Sequence, residues 1–333
     1  MKIFVTSAYP YDSRSNFGST YLRESAVHDP FKVHCLADHP EDADLIIFAE
    51  HHPYDPYFFK VLRDPVYQKF KHKCYLYHDN DHSLTFLPTV SPSIQLRDYN
   101  PLIHRSYAYI FQIDHNHAVA AARGEDHQKK YLFSFIGASR TNPIRKAILS
   151  LDHPESYLED TSDRNSWELR ESDKKAYFSS YAQVSLASHF ILCPAGISPN
   201  SYRLYESMEM GIAPVIISDE WIPSQGPQWE SFAIRVSAAE INQIPAILQA
   251  KEKDAAAMGK LARQAWLDWF AKDKQFHLLT EACAQLHQHR SKVTASTYLK
   301  QYGRFSEPFH FRNLLRFYKN QLKKKLGQAI IRL

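Results

Sequence analysis

Short apolar runs, each followed by a helical pattern, recur through most of this 333-residue chain. That alternation constrains the fold more than any other feature, because parallel strands need a crossover helix between them. Strands buried on both faces also read as continuous apolar runs rather than as alternation. In the first half, Ile3–Thr6, Val33–Leu36, Leu45–Phe48, Cys74–Tyr77 and Tyr109–Ile113 read as strands, and Ser19–Val27 and Tyr57–Lys71 as helices. The polar stretch from Asn116 to Lys130 reads as a linker. The expected fold is α/β, with two facing Rossmann-like domains around a cleft. The first spans residues 1–125 and the second 126–290, with a helical tail over 291–333.

The second unit is the more legible. Strand Leu132–Ile136 runs into Gly137, Ala138, Ser139 and Arg140, after which Asn142 suits an N-cap and Pro143 the first helical position. A helix over Asp173–Ser188 leads into strand Phe190–Cys193. A helix over Ser201–Met210 follows, with Gly211 as its left-handed stop. Pro214–Ser218 and Phe232–Val236 read as further strands, and Ala238–Ala250 and Asp254–Trp269 as helices.

In open α/β sheets, ligands bind beyond the carboxyl ends of strands, often at helix N-termini. The stretch from Phe190 to Glu206 has this form, with Asn200 as the expected N-cap. Arg203 then falls in the first turn, where a cation opposes the helix dipole unless an anion lies between. A bound diphosphate would remove that conflict. The alternative is an Arg203–Glu206 ion pair, since the two share a helical face.

Residues 181–229 resemble the core of exostosin-type glycosyltransferases. The shared order is a strand, Pro194-x-Gly196, Ser201-x-Arg203-x-x-Glu206, Gly211-x-x-Pro214-Val215, Asp219, Pro223 and Trp229; upstream, Phe133 to Gly137 and Arg145 also match. The resemblance implies a GT-B fold and an inverting glycosyltransferase that needs no metal and no cofactor. Its nucleotide-sugar donor, with UDP the expected nucleotide, would be held mainly by the second domain. The acceptor would be a glycan or a lipid-linked saccharide in bacterial surface-polysaccharide synthesis. Gly137, Ser139, Arg140, Arg145, Pro194, Ser198, Asn200, Ser201, Arg203, Glu206 and Asp219 would form the donor site. Arg203 would meet the diphosphate, Glu206 the ribose or sugar hydroxyls, and Asp219 would face the same crevice. Two features depart from the family. The N-terminal anchor of eukaryotic members is not seen, and Ala195 stands where many members carry a basic residue. Arg140 or Arg145 would compensate for Ala195.

Strand Cys74–Tyr77 is followed by His78-Asp79-Asn80-Asp81-His82, which sets carboxylates and imidazoles at a strand end. Displacement with inversion needs a group to take the acceptor proton. Asp81, which resembles an acidic position of bacterial family members, is the first choice, with Asp79 and His82 beside it. Asp79-x-Asp81 also spells the D-x-D of metal-dependent GT-A enzymes, against which the architecture argues. The loop after the first strand mixes aromatic and polar groups, and Tyr9, Tyr11, Asp12 and Arg14 are acceptor candidates. Among 18 histidines, the pairs His51-His52, His78/His82, His115/His117 and His287/His289 lack a three-ligand arrangement, so no metal site is expected. No G-x-G-x-x-G follows a strand, which argues against an oxidoreductase. A non-catalytic glycan- or nucleotide-binding protein remains the alternative.

From Arg290 onward there are eleven Lys/Arg and one acid, so the preceding body carries net −6 within a total of +4. Such a body argues against nucleic-acid binding. The four separated cysteines suit a cytoplasmic setting. In the tail, Phe311, Leu314, Leu315, Phe317, Tyr318, Leu322, Leu326 and Ile330 form an apolar stripe among basic residues. That pattern suits either an amphipathic helix on the inner, anionic face of the plasma membrane or a helix packed on the body.

Overall fold

The computed structural model describes residues 1–13, 16–51, 55–110, 115–122, 127–164 and 170–330, with 171 and 324–330 as backbone alone. The first unit comprises β1 (Lys2–Thr6), α1 (Gly18–Val27), β2 (Cys35–Leu36), β3 (Leu45–Glu50), β4 (Cys74–His78), β5 (Thr89–Val90) and β6 (His104–Arg105). Its sheet runs β2-β1-β3-β4-β5-β6, every pairing parallel. The second unit comprises β7 (Tyr131–Gly137), α2 (Pro143–Leu149), β8 (Ser156–Asp160), α3 (Glu171–Leu186), β9 (Ser188–Pro194), α4 (Tyr202–Met210), β10 (Ala213–Ile217), β11 (Ile234–Arg235) and α5 (Ala255–Trp269). Its sheet is β11-β10-β9-β7-β8, again parallel throughout. Two parallel sheets meeting across a cleft is the GT-B arrangement.

Local chemistry explains where elements begin and stop. The helix expected over Tyr57–Lys71 is two, Phe59–Arg63 and Pro65–Phe70. Pro65 cannot continue a helix, and Asp64 restarts one by accepting from the Val66 N–H at 2.9 Å. Asn142 caps α2 and Gly211 ends α4 at φ 74°, as their residue types demand. Tyr109 and Ile110 are not a strand, and the remainder of that expected strand lies outside the described residues. Strands β5, β6 and β8 escape the apolar pattern because two are only two residues long and the third is a half-exposed edge.

The chain then returns to the first unit. Helix α6 (Gln275–Gln288) packs there, although the sequence places it in the second domain. The Phe276 N–H donates to Ser25 Oγ at 3.2 Å, Arg105 Nε to Gln285 Oε1 at 3.1 Å, and Tyr75 Oη lies 2.7 Å from His287 Nδ1. Helix α7 (Pro308–Ile330) also docks on the first unit: His310 and Phe317 are buried, Tyr57 donates to the His310 carbonyl at 3.0 Å, and Phe317 meets Phe59. The tail's single expected stripe is therefore divided. Leu314 and Phe317 face the body, while Phe311, Leu315, Tyr318 and Leu322 stay exposed beside exposed Arg312, Arg316, Lys319 and Lys323.

Candidate active site

The carboxyl ends of β4 and β9 point into one cavity of about 360 Å³. Asp81 lines it from the first unit; Arg145, Ser198, Asn200, Ser201, Arg203 and Glu206 line it from the second. Ser198 donates to Asp81 across the cleft, and Tyr109 packs on Tyr202 at 4.2 Å between centroids.

Ser201, rather than Asn200, is the N-cap of α4, accepting from the Arg203 N–H at 3.4 Å. Asn200 is buried one position earlier, donating to Tyr205 and accepting from the Ser201 N–H. Arg203 Nε donates to the Ile136 carbonyl at 2.8 Å, and the guanidinium lies 5.1 Å from the Phe135 ring centroid. Gly137 makes that placement possible, since a Cβ there would lie 2.4 Å from Arg203 Nη2. Buried Arg145 donates from Nε to the Ala195 carbonyl at 2.9 Å, from Nη1 to that of Ala138 at 3.3 Å and from Nη2 to that of Pro194 at 3.4 Å. Burial, with the charge of Arg203 second, lowers the Arg145 pKa to about 9. Among the described residues neither arginine forms an ion pair with a carboxylate. Glu206 instead accepts from Tyr181 at 2.9 Å, and burial raises its pKa.

Other donor candidates support the site or lie apart from it. Ser139 holds Asp160 through its N–H and hydroxyl and thereby shapes the turn after β7. Exposed Arg140 bonds the Ser162 carbonyl, leaving Arg145 as the only one of the two within the cavity lining. Pro194 ends β9 and offers its carbonyl to Arg145. Asp219 does not face the crevice; exposed beyond β10, it accepts from the Ala238 N–H at 3.2 Å and fixes the next turn.

In the first unit, Asp79 is buried and accepts from His51 Nδ1 at 2.5 Å. Burial disfavours the charged imidazole, but the bond to Asp79 and the charges of Asp79 and Asp81 prevail and raise its pKa. Asp81 opens to the cleft, yet the protein crowding its carboxyl raises its pKa above the usual range. His82 turns elsewhere: at φ 50° it meets Phe309 and lines a small separate cavity with His78, His104 and His310. Tyr9 is also no acceptor group. Its ring is in the core and its hydroxyl donates to Asp55 at 2.6 Å. Tyr11 is exposed, Asp12 pairs with Asn16 through the backbone, and Arg14 lies outside the described residues. In the sequence His51 reads only as half of a His-His pair. Its position just past an apolar strand was the available signal, but the pairing with Asp79 depends on β3 lying beside β4.

The fold and cavity thus define a GT-B protein whose cleft sets Arg203, in the first turn of α4, beside Arg145 of α2 and opposite an acid-and-imidazole cluster. The chain belongs to the exostosin GT47 domain family, whose model matches residues 65–251. It is 27% identical over 170 residues to the Exostosin-1 homolog of Caenorhabditis elegans, covering 46% of this chain and 43% of that protein. It is 28% identical over 91 residues to mouse ribitol-5-phosphate xylosyltransferase 1, covering 27% of this chain and 20% of that one. The chain therefore spans less than half the length of these curated relatives. Among solved structures, TarM superposes with a TM-score of 0.39 at 10% identity, over 80% of this chain and 57% of that one.

Proposed function

We propose that the protein is an inverting glycosyltransferase carrying a sugar from a nucleotide-sugar, UDP-linked in the first instance, to a glycan or lipid-linked acceptor. The carrying observation is the Arg145–Arg203 pair, two neighbouring guanidiniums in the cavity with no carboxylate ion pair among the described residues. Like charges held together, one of them in the first turn of α4, are stabilised by an anion between them, and a diphosphate has the matching charge and oxygen geometry. The same groups would stabilise charge developing on the departing nucleoside diphosphate, without a divalent ion in the cavity. Glu206 and Ser198 remain to meet sugar or ribose hydroxyls.

In the reaction, the acceptor oxygen bonds to the anomeric carbon as the bond from that carbon to the diphosphate oxygen breaks. The diphosphate leaves with the electron pair, and the acceptor proton passes to Asp81, the acid of its cluster that lines the cavity. The 2.5 Å His51–Asp79 contact supports a second reading, in which His51 takes the proton and Asp79 orients it. We place the reaction in bacterial surface-polysaccharide assembly, such as capsule, O-antigen or lipopolysaccharide, at the inner face of the plasma membrane. The exposed apolar and basic side of α7 would provide the attachment. Among the described residues no helix is long and apolar enough to cross a membrane.

The test is a panel of UDP-, GDP- and CMP-sugars followed by thermal shift and donor hydrolysis. Stabilisation with turnover of one sugar class is the expected result. Binding without turnover would favour a non-catalytic glycan- or nucleotide-binding protein, and no response to any nucleotide would remove the donor-site reading.

A further inference from the structure

Far along the chain from the cleft residues, α6 meets the segment leading into β2. His277 and Glu281 stand one turn apart on α6, which puts them on the same helical face. His34 approaches from the strand side. One ligand atom from each of these three residues lies within 4.8 Å of the others, and His34 Nε2 is 2.8 Å from Glu281 Oε1. The ring planes are held in place: Phe31 stacks on His277 at 4.0 Å and 18°, and His34 stacks on His277 at 5.0 Å. The His34 side chain is only 3% exposed, whereas Glu281 at 45% leaves an approach from solvent.

A His34–Glu281 ion pair would account for two of these groups but not for the others. His277 Nδ1 is buried with no hydrogen-bond partner among the described residues, and so is Oδ2 of Asp29. Asp29 is 1% exposed and its charge acts on His277. Two orphaned buried polar atoms beside a His-His-Glu cluster are costly unless a further group satisfies them.

We propose that His34, His277 and Glu281 form a binding site for a divalent transition-metal ion of the zinc type, with buried Asp29 beside the ligand set. Two imidazoles and a carboxylate suit zinc, whereas calcium and magnesium prefer all-oxygen sites. Zinc ligands at ~2.0–2.2 Å stand about 3.4 Å apart in a tetrahedron, so modest side-chain movement from the present spacing closes the site. The ion would clamp α6 to the rim of the first sheet. None of these residues lines the cleft cavity. The proposal therefore stands apart from the glycosyl-transfer reading.

The experiment uses the full chain, stripped with chelator, and zinc chloride alone in calorimetry. One zinc per chain is expected, at micromolar affinity or tighter, with a rise in melting temperature. Cobalt in place of zinc should give the visible absorption of a low-coordinate nitrogen–oxygen site. Glu281→Gln, at a half-exposed position that should leave folding intact, and His277→Gln should each weaken binding at least about tenfold. Absence of binding by the wild type overturns the proposal. So does unchanged affinity in both variants, which would assign the zinc to other members of the 18 histidines.

Discussion

Arg203 carries two duties at once, and its substitution separates them. Its Nε–H secures the Ile136 carbonyl while the rest of the guanidinium lies at the cavity. Charge-assisted hydrogen bonds contribute about 1.5–3 kcal/mol each. Arg203→Ala should therefore weaken nucleoside-diphosphate affinity roughly 10- to 100-fold by calorimetry with the fold retained; unchanged affinity would remove Arg203 from the donor site. Asp81→Asn keeps shape but cannot accept a proton, and general base catalysis contributes about 10²–10⁴-fold. Transfer should fall by that order with donor affinity intact, and near-normal turnover would move the role to His51. Glu50 lends itself to a pH test. At the end of β3, burial pushes its carboxyl up to about 8, against hydrogen bonds from Ser7 Oγ and the Ala8 N–H that favour the charged form. An unfolded glutamate titrates near 4.5. Between those values the folded chain holds a proton that the unfolded chain has lost, so stability declines as pH rises through the window. Glu50→Gln mimics the neutral carboxyl, its amide oxygen still able to accept from the Ala8 N–H, and should flatten melting temperature against pH from about 4.5 to 8. An unchanged slope would show that Glu50 is not responsible.

At the scale of elements, α7 is amphipathic twice over. One side is fixed to the first unit by His310, Leu314 and Phe317, and the adjoining side presents Phe311, Leu315, Tyr318 and Leu322 to solvent. Deleting the helix would expose Tyr57 and Phe59 and confuse stability with attachment. Replacing Arg312, Arg316, Lys319 and Lys323 by Gln leaves the packed side untouched. Each basic residue near an anionic leaflet contributes about 1 kcal/mol. The substituted chain should no longer sediment with anionic vesicles at low salt, under conditions where the native chain does. Equal sedimentation of both would leave α7 as a packing element alone.

The whole molecule is joined more closely than a two-domain reading of its sequence suggests. A single apolar cluster takes in Leu22, Tyr75 and Tyr107 of the first unit and Ile191, Leu204 and Phe232 of the second, with Phe270, Phe276 and Leu279 joining them. Helix α6 carries that core back to α1, and Asp81 meets Ser198 across the cleft. Units that share a core lose it together, so calorimetry should show one cooperative unfolding transition. Two resolved peaks would show that the units unfold independently.

Local chemistry in the sequence determined much of this. Apolar runs buried on both faces marked the central strands β1, β3, β4, β7, β9 and β10, Asn142-Pro143 opened α2, and Gly211 closed α4. The loop between β9 and α4 was legible as the cleft-lining segment because it follows a strand end and carries a first-turn arginine that conflicts with the helix dipole on its own. Three-dimensional proximity was not legible. His51 meets Asp79 because β3 and β4 are neighbours in a sheet order that no local pattern encodes. Tyr9 and His82 left the site because one ring was needed in the core and the other residue took a left-handed turn towards α7. His34 and His277 stack only because α6 crosses back over the first sheet. Periodicity and capping act within a few residues and can be read in order along a chain. Which strand ends share a cavity depends on how buried faces pair over hundreds of residues, and only the folded core decides that.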